Sequence, residues 1–315
     1  MARTAAKRTL TLDLKVGDRN QEVAMVYWFM KRFGYFDGIR SWHPTDLYTP
    51  ALEEAVIRYQ SFNGLATTGL VNAETRAQIS APRCGCPDIV PVKLANRWPS
   101  KNLKYHFENY TADMTQQRVR AAVQRALSTW AAEGFTFTEG DNTSEIRIKW
   151  GTGDHGDGYP FDGPGKVLAH AFYPPPPANP VTGDAHFDDA EKWSDDNPPT
   201  GFDLETVALH EFGHTLGLDH SPDRNSVMYA SYSGIRRVLT ADDKKRLKDL
   251  YKPFSGNPSF EAVDSALLVA IANNAAALAE KVFEKESNAS RPTMVTNVEA
   301  IISAFKRGLI DSHDD

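Results

Sequence analysis

The chain has 315 residues, of which 41 % are hydrophobic and 24 % charged, and a formal net charge of −6, which leaves room for two or three compact units. That balance gives no electrostatic footprint for nucleic acid or an anionic membrane, and no run of about 18 apolar residues suggests a membrane span. Two cysteines cannot staple a chain of this size, so cohesion must come from packing or from metal ions.

The basic start, MARTAAKRTL, lacks the apolar stretch of a signal peptide. From about Thr9 to Ser80 the pattern predicts three short helices around a small core. NQEVAMVYWFMKRFGYF carries Val23, Met25, Val26, Trp28, Phe29 and Phe33 in a roughly helical stripe. In YTPALEEAVIRYQSFNGL, Pro50 opens a helix with Leu52, Ala55, Val56 and Tyr59 at helical spacing, and Gly64 is its stop. In TGLVNAETRAQI, Asn72 is the candidate N-cap of a third helix. Both cysteines then fall in PRCGCPD, Pro82 to Asp88. A disulfide, half a metal site and a reactive thiol with a spare all fit two cysteines so placed. A Cys84–Cys86 bridge would close a tiny, strained loop.

From about Ile89 to Phe254 the sequence predicts strands at KYHFENY and EIRIKW, which alternate apolar and polar residues. Between them lies a long amphipathic helix with Val119, Ala122, Val123, Ala126, Leu127 and Trp130 on one face. A loop-rich stretch follows, then a helix beginning near Leu204. Beyond Ser255 two helical segments are expected, 260–286 and 295–309, with no motif that carries chemistry.

HEFGHTLGLDH, His210 to His220, is the strongest chemical signal. Residues four apart share a helix face, so His210 and His214 can present two imidazoles to one cation. Glu211 projects about 100° away, beside the metal, where it suits a general base for a water held there. Gly217 can break the helix and let His220 supply a third nitrogen, leaving a fourth tetrahedral position open as catalytic zinc requires. Met228, in SVMYASY, then reads as a Met-turn rather than ordinary core packing. Residues 155–193 concentrate histidines and carboxylates around glycines. Oxygen-rich loops of this kind suit calcium, and His155, Asp157, His170 and His186 form an N3O set suited to a closed, structural zinc.

Taken together, PRCGCPD, HGDGYPFDGPGKVLAHAF, GDAHFDDAEKW, HEFGHTLGLDH and SVMY resemble the matrix metalloproteinases in order and spacing, from the N-terminal helices to about Lys252. The resemblance implies an α+β, multidomain chain. A small three-helix, peptidoglycan-binding-like prodomain (1–88) would precede a metzincin catalytic domain (89–254) with a twisted, mostly parallel five-stranded sheet and three helices. A short helical extension (255–315) would follow, and no hemopexin-like propeller is expected there. It implies a zinc endopeptidase that forms no covalent intermediate, acts on protein or peptide substrates as a monomer, and is secreted, although no signal peptide is visible in this chain.

By the same resemblance His210, His214 and His220 hold catalytic zinc, Glu211 is the base and Met228 lies beneath the metal. Cys84 belongs to the cysteine switch PRCGxPD and would occupy the fourth zinc position in a latent form, with Arg83 and Asp88 pairing across the loop. Cys86 stands at the variable position, either inert or able to capture Cys84 under oxidation. The structural zinc ligands match His155, Asp157, His170 and His186. A first calcium site matches Asp162, Gly163, Gly165, Val167, Asp188 and Glu191. A second would use Asp184 with Glu145 in place of the usual Asp, and a third Asp113, Asp189 and Glu191. Leu168 and Ala169 lie on the edge strand expected to pair with extended substrate. Ala230 replaces a common Pro and is expected to loosen the specificity-pocket wall. Thr206, four residues before His210, is small and implies a roomy pocket for large apolar side chains. Two rival readings remain from the residues: a module that binds cell-wall glycan or matrix, and a cell-wall peptidase using the same zinc chemistry.

Overall fold

Three helices, each opened by a side-chain cap, build the N-terminal core. In α1 (Gln21–Arg32) the Asn20 side chain accepts from the N–H groups of Glu22 and Val23; in α2 (Pro50–Phe62) Thr49 accepts from Leu52; in α3 (Ala73–Ser80) Asn72 accepts from Thr75. Each cap satisfies donors that the first helical turn leaves orphaned. Leu52, Ala55, Val56 and Tyr59 are buried as expected for α2. In α1 the buried residues are Val23, Val26, Tyr27 and Met30. Trp28 is 56 % exposed, because it lies 200° around the helix from Val26, and Tyr27 takes the inward position.

The computed structural model describes residues 10–39, 43–90, 96–175, 180–197 and 199–252. The expected C-terminal helices lie outside the described residues.

A six-stranded sheet follows, ordered β1-β5-β6-β4-β2-β3, from β1 (Arg83–Cys84), β2 (Asn102–Phe107), β3 (Thr136–Glu139), β4 (Ile146–Gly151), β5 (Val167–Ala171) and β6 (Ala185–Asp188). All neighbours are parallel except β5 and β6. The expected five-stranded sheet is therefore present, and the sixth strand is the cysteine-bearing segment itself. A small ladder pairs β7 (Trp193–Ser194) with β8 (Phe202–Asp203). Helix α4 (Gln116–Ala131) buries all six residues of its expected face, and its Trp130 indole donates to Leu209 O at 2.9 Å. That bond seats α4 against α5 (Leu204–Thr215), a helix buried along its whole length. Helix α6 (Ala241–Leu250) closes the described chain with a capping box between Thr240 and Asp243.

Two apolar clusters form, one around the sheet, α4 and α5, the other among α1, α2 and α3. Phe161 and Val167, from the loop before β5 and from β5 itself, pack into the N-terminal cluster. The expected boundary at residue 88 therefore divides the sequence but not the packing, and the chain through Lys252 is one compact unit.

Candidate active site

Helix α5 carries His210 and His214 one turn apart, and the chain turns sharply at Gly217 (φ +98) to bring in His220. The Nδ1 of each ring is 2.7 Å from an acceptor: Val227 O for His210, Leu218 O for His214 and an Asp88 carboxylate oxygen for His220. Such oxygens only accept, so each Nδ1 carries a proton, and in the neutral ring each Nε2 is left with a lone pair. The three Nε2 atoms converge, His210 lying 3.1 Å from His214 and 3.2 Å from His220. Burial lowers the pKa values of His210 and His220, favouring neutral rings. At His214 burial is outweighed by the Cys86 sulfur and the Glu211 carboxylate, which push it up to about 9, so that a cation in the site would take the place of a proton on that ring. Three lone pairs aimed at one point repel one another, and a cation is their natural complement. Cys84 Sγ completes the group at 3.5 Å from His214 Nε2, all four ligand atoms lying within 4.8 Å of one another.

Glu211 is fully buried, with Oε2 accepting from Cys84 Sγ at 3.5 Å and Oε1 without a partner among the described residues. Burial, with the Cys86 sulfur nearby, pushes its carboxyl up to about 8. Met228 is fully buried, with its sulfur against Gly213, the residue before His214 on α5. Gly213 makes that approach possible, since a side chain there would collide with the Met228 sulfur and come within 3.1 Å of Trp130. Asp243 holds the Met228 turn to α6 by accepting from Ser226 Oγ at 2.5 Å and from the N–H groups of Val227 and Thr240 at 3.1 and 2.8 Å. Neither Gly213 nor Asp243 was singled out in the sequence, although Thr240-Ala-Asp-Asp243 carries the capping-box spacing.

A second group joins His155, Asp157, His170 and His186. One Asp157 oxygen lies 2.7, 2.7 and 2.8 Å from His155 Nε2, His170 Nε2 and His186 Nδ1. Burial lowers His186 to about 4, so it too is a neutral donor. This set is closed, with no fifth group directed into it among the described residues, and suits a structural ion.

Among the oxygen-rich residues, Asp162, Asp188 and Glu191 act on one another electrostatically, and burial, with that mutual repulsion, raises Asp188 and pushes Glu191 up to about 7. One Asp188 oxygen is buried without a partner among the described residues. The backbone at Gly163, Gly165 and Val167 wraps these carboxylates: Gly165 N–H donates to Glu191 at 2.5 Å and Val167 N–H to Asp162 at 3.1 Å. The other two expected calcium sets are arranged differently. Asp184 is taken by the Arg147 guanidinium, while the Glu145 carboxylate accepts from Lys104 N–H at 2.9 Å. Asp113 is bound by Lys192 Nζ at 2.5 Å and by Trp193 N–H at 2.8 Å, and Asp189 is engaged through its backbone.

The cysteine-bearing segment lies in the groove above the first cluster. On one side β1 runs parallel to β5, with Arg83 N–H donating to Lys166 O at 2.7 Å and Gly85 N–H to Ala169 O at 2.8 Å. On the other, Cys84 N–H donates to Ala230 O at 2.9 Å and Tyr232 N–H to Pro82 O at 2.8 Å. Leu168 and Ala169 are thus on a strand edge already filled by the chain itself. Asp88 locks the loop: fully buried, it pairs with the buried Arg83, accepts from Tyr35 OH at 2.6 Å and meets His220. Arg83 in turn stacks 3.5 Å over the Phe33 ring. The His220 contact is a link that sequence spacing did not reveal. Cys86 faces β5, its Sγ 3.2 Å from Ala171 O, and both cysteines are free thiols.

Beside the cluster opens a cleft lined by Leu168, Thr206, Val207, His210, Val227 and Arg236, among others. Its wall is tied to the N-terminal helices, with Gln78 donating to Tyr229 OH at 3.0 Å and Ser231 Oγ at 2.8 Å.

An HExxHxxGxxH helix over a Met-turn, beside a mostly parallel sheet, defines the metzincin class. Residues 97–252 match the matrixin family model, and residues 19–79 match a putative peptidoglycan binding domain. The chain is 38 % identical to the hatching enzyme of Paracentrotus lividus over 250 residues, 77 % of this chain and 40 % of that one. It is 41 % identical to the interstitial collagenase of Bos taurus over 214 residues, 66 % of this chain and 44 % of that one. It therefore spans less than half the length of these relatives. The chain belongs to the matrixins and carries a peptidoglycan-binding-type domain ahead of its matrixin domain.

Proposed function

We propose that this protein is a latent zinc endopeptidase whose own residues 82–88 hold it silent. The observation that carries the reading is the convergence of three Nε2 lone pairs from His210, His214 and His220 on one point, with Cys84 Sγ on the remaining side. Zinc bound there supplies Lewis acidity, which acidifies water and polarises a peptide carbonyl.

The chain's residues do the rest. Glu211, with one oxygen free of partners, takes a proton from the attacking water and returns it to the departing amine. The β5 edge holds extended substrate through Leu168 and Ala169 once residues 82–86 leave it. The cavity beside His210, with the small Thr206 on its wall, receives the side chain that follows the scissile bond. In the latent form Cys84 fills the metal's fourth side while Arg83, Asp88 and Tyr35 pin the loop around it.

His155, Asp157, His170 and His186 are assigned to a structural zinc. Asp162, Gly163, Gly165, Val167, Asp188 and Glu191 are assigned to a calcium ion, with the orphaned Asp188 oxygen as the supporting observation. Residues 1–88 form the inhibitory unit and 89–254 the catalytic one. Calcium dependence and likeness to a hatching enzyme and a collagenase favour an extracellular setting and protein substrates in a matrix.

The test is hydrolysis of a fluorogenic peptide by the intact chain and by the full chain nicked downstream of Asp88, each with and without a zinc chelator. Activity is expected only from the nicked chain without chelator. A nicked chain that is inactive, or active in chelator, overturns the reading.

A further inference from the structure

Two neighbouring arginines follow the substrate-side wall, and they are used differently. Arg237 is ion-paired, its guanidinium bonded to Asp203 and 3.4 Å from Glu205. Arg236 has no carboxylate within ion-pair distance among the described residues. Its Nη2 donates to Ser233 Oγ at 2.6 Å, and its guanidinium lies 5.6 Å over the Tyr229 ring. It is half-buried and lines the cavity beside the first histidine cluster.

Its place in the cavity follows from its backbone. Arg236 N–H donates to Thr206 Oγ1 at 2.9 Å, and Thr206 lies one helical turn before His210. A turn of helix spans about 5.4 Å, so the Arg236 backbone is anchored about one turn along α5 from His210. The lining is apolar at Leu168, Val207 and Val227 and polar at Thr206, Ser233 and Arg236. A guanidinium offers five donors, and most of those on Arg236 have no acceptor within hydrogen-bond distance among the described residues.

We infer that Arg236 is a specificity-determining residue, and that the cavity takes side chains with an apolar stem and an acceptor at the tip, glutamate first and glutamine next, on the carbonyl-distal side of the scissile bond. The inference rests on the endopeptidase reading above and refines its expectation of large apolar side chains. The stem gains the burial an apolar side chain would gain, and the tip adds a charge-assisted hydrogen bond that leucine cannot make. The Arg236 guanidinium is half-buried, and burial works against its charge, which an incoming carboxylate would offset.

The experiment compares kcat/KM for three peptides differing only at that position, glutamate, glutamine and leucine, using the full chain nicked downstream of Asp88. Taking the ratio within one preparation removes any difference in the folded fraction between variants. The parent is expected to cleave the glutamate peptide at least as well as the leucine one. In Arg236→Leu the glutamate-to-leucine ratio is expected to fall by about tenfold or more, the size of one charge-assisted hydrogen bond. In Arg236→Lys, which keeps the charge, part of it is expected to return. The parent alone decides the matter should the variants fail to fold: a glutamate peptide cleaved about a hundredfold less well than the leucine peptide overturns the inference and leaves the endopeptidase reading standing. A ratio unchanged in Arg236→Leu overturns it too. A parent that cleaves none of the three peptides overturns both.

Discussion

Removing the charge of Asp88 while keeping its shape, as Asp88→Asn, probes how the cysteine segment stays closed. Asp88 and its partner Arg83 are both buried, with side-chain exposures of 0 % and 3 %. Breaking a buried pair by neutralising one member leaves the other as an uncompensated charge, at a cost of about 3–5 kcal/mol. The segment can relieve that cost by lifting out of the groove, where Arg83 regains water. At about 1.4 kcal/mol per tenfold, the closed-to-open ratio should then fall by two to three orders of magnitude. Peptide hydrolysis by the intact, unprocessed variant measures the open fraction against a fully open Cys84→Ala reference. Reaction of the chain's two cysteines with a thiol reagent gives an independent reading, since both are buried in the parent. Burial works against the Asp88 charge, but Arg83 and the His220 N–H outweigh it and hold the carboxyl well below its ordinary range. A depressed folded-state pKa stabilises the closed form above the ordinary carboxylate range and loses that contribution only as pH falls through the depressed value. The parent should therefore remain silent in mild acid. An Asp88→Asn chain as silent as the parent, with thiols no more reactive, would refute the reasoning.

Three further outcomes are expected. His155→Ala removes one of the groups around Asp157 and should lower the zinc content by one ion per chain and the unfolding temperature with it, measured by metal analysis and calorimetry; unchanged stoichiometry would contradict the assignment. Calcium should raise the unfolding temperature more at pH 8 than at pH 5.5, because Glu191, at about 7, and the raised Asp188 must shed protons to bind it. Without calcium the sign reverses: their raised folded pKa values stabilise the protein at low pH, and that contribution is lost as pH rises through about 7. Gly213→Ala places a methyl group against the Met228 sulfur and Trp130, and should destabilise the domain by about 1–3 kcal/mol in denaturant titration. No shift in midpoint would mean that the Met-turn yields freely.

Much of this arrangement was legible because it depends on local periodicity. The α4 face, the cap at Asn72, the helix start at Pro50, and the four-residue spacing of His210 and His214 are each fixed by helix geometry within a few residues. The density of histidines and carboxylates across residues 155–193 marked out His155, Asp157, His170 and His186 as one set, and the resemblance to a known family gave them the same role. What was not legible is tertiary. Strand β3 is short and largely exposed, so TFTE lacks the alternation that marked β2 and β4. Trp28 looked apolar and core-bound, yet only the rotation of α1 decides which of Tyr27 and Trp28 turns inward. Carboxylates are the hardest case, since sequence alone did not reveal that Asp184 and Asp113 have Arg147 and Lys192 beside them. Asp88 bonding to His220 and Arg236 bonding to Thr206 join residues 132 and 30 positions apart, and no local rule links them.

The claim on which the account depends is that the Cys84 sulfur sits on the metal held by His210, His214 and His220. Cobalt substituted for zinc in the intact chain tests it by absorption, because a thiolate bound to cobalt adds a charge-transfer band in the near ultraviolet. The account predicts that band in the intact chain, its retention in Cys86→Ser, and its loss both in Cys84→Ala and after nicking downstream of Asp88. Identical spectra for the intact parent and Cys84→Ala would contradict it.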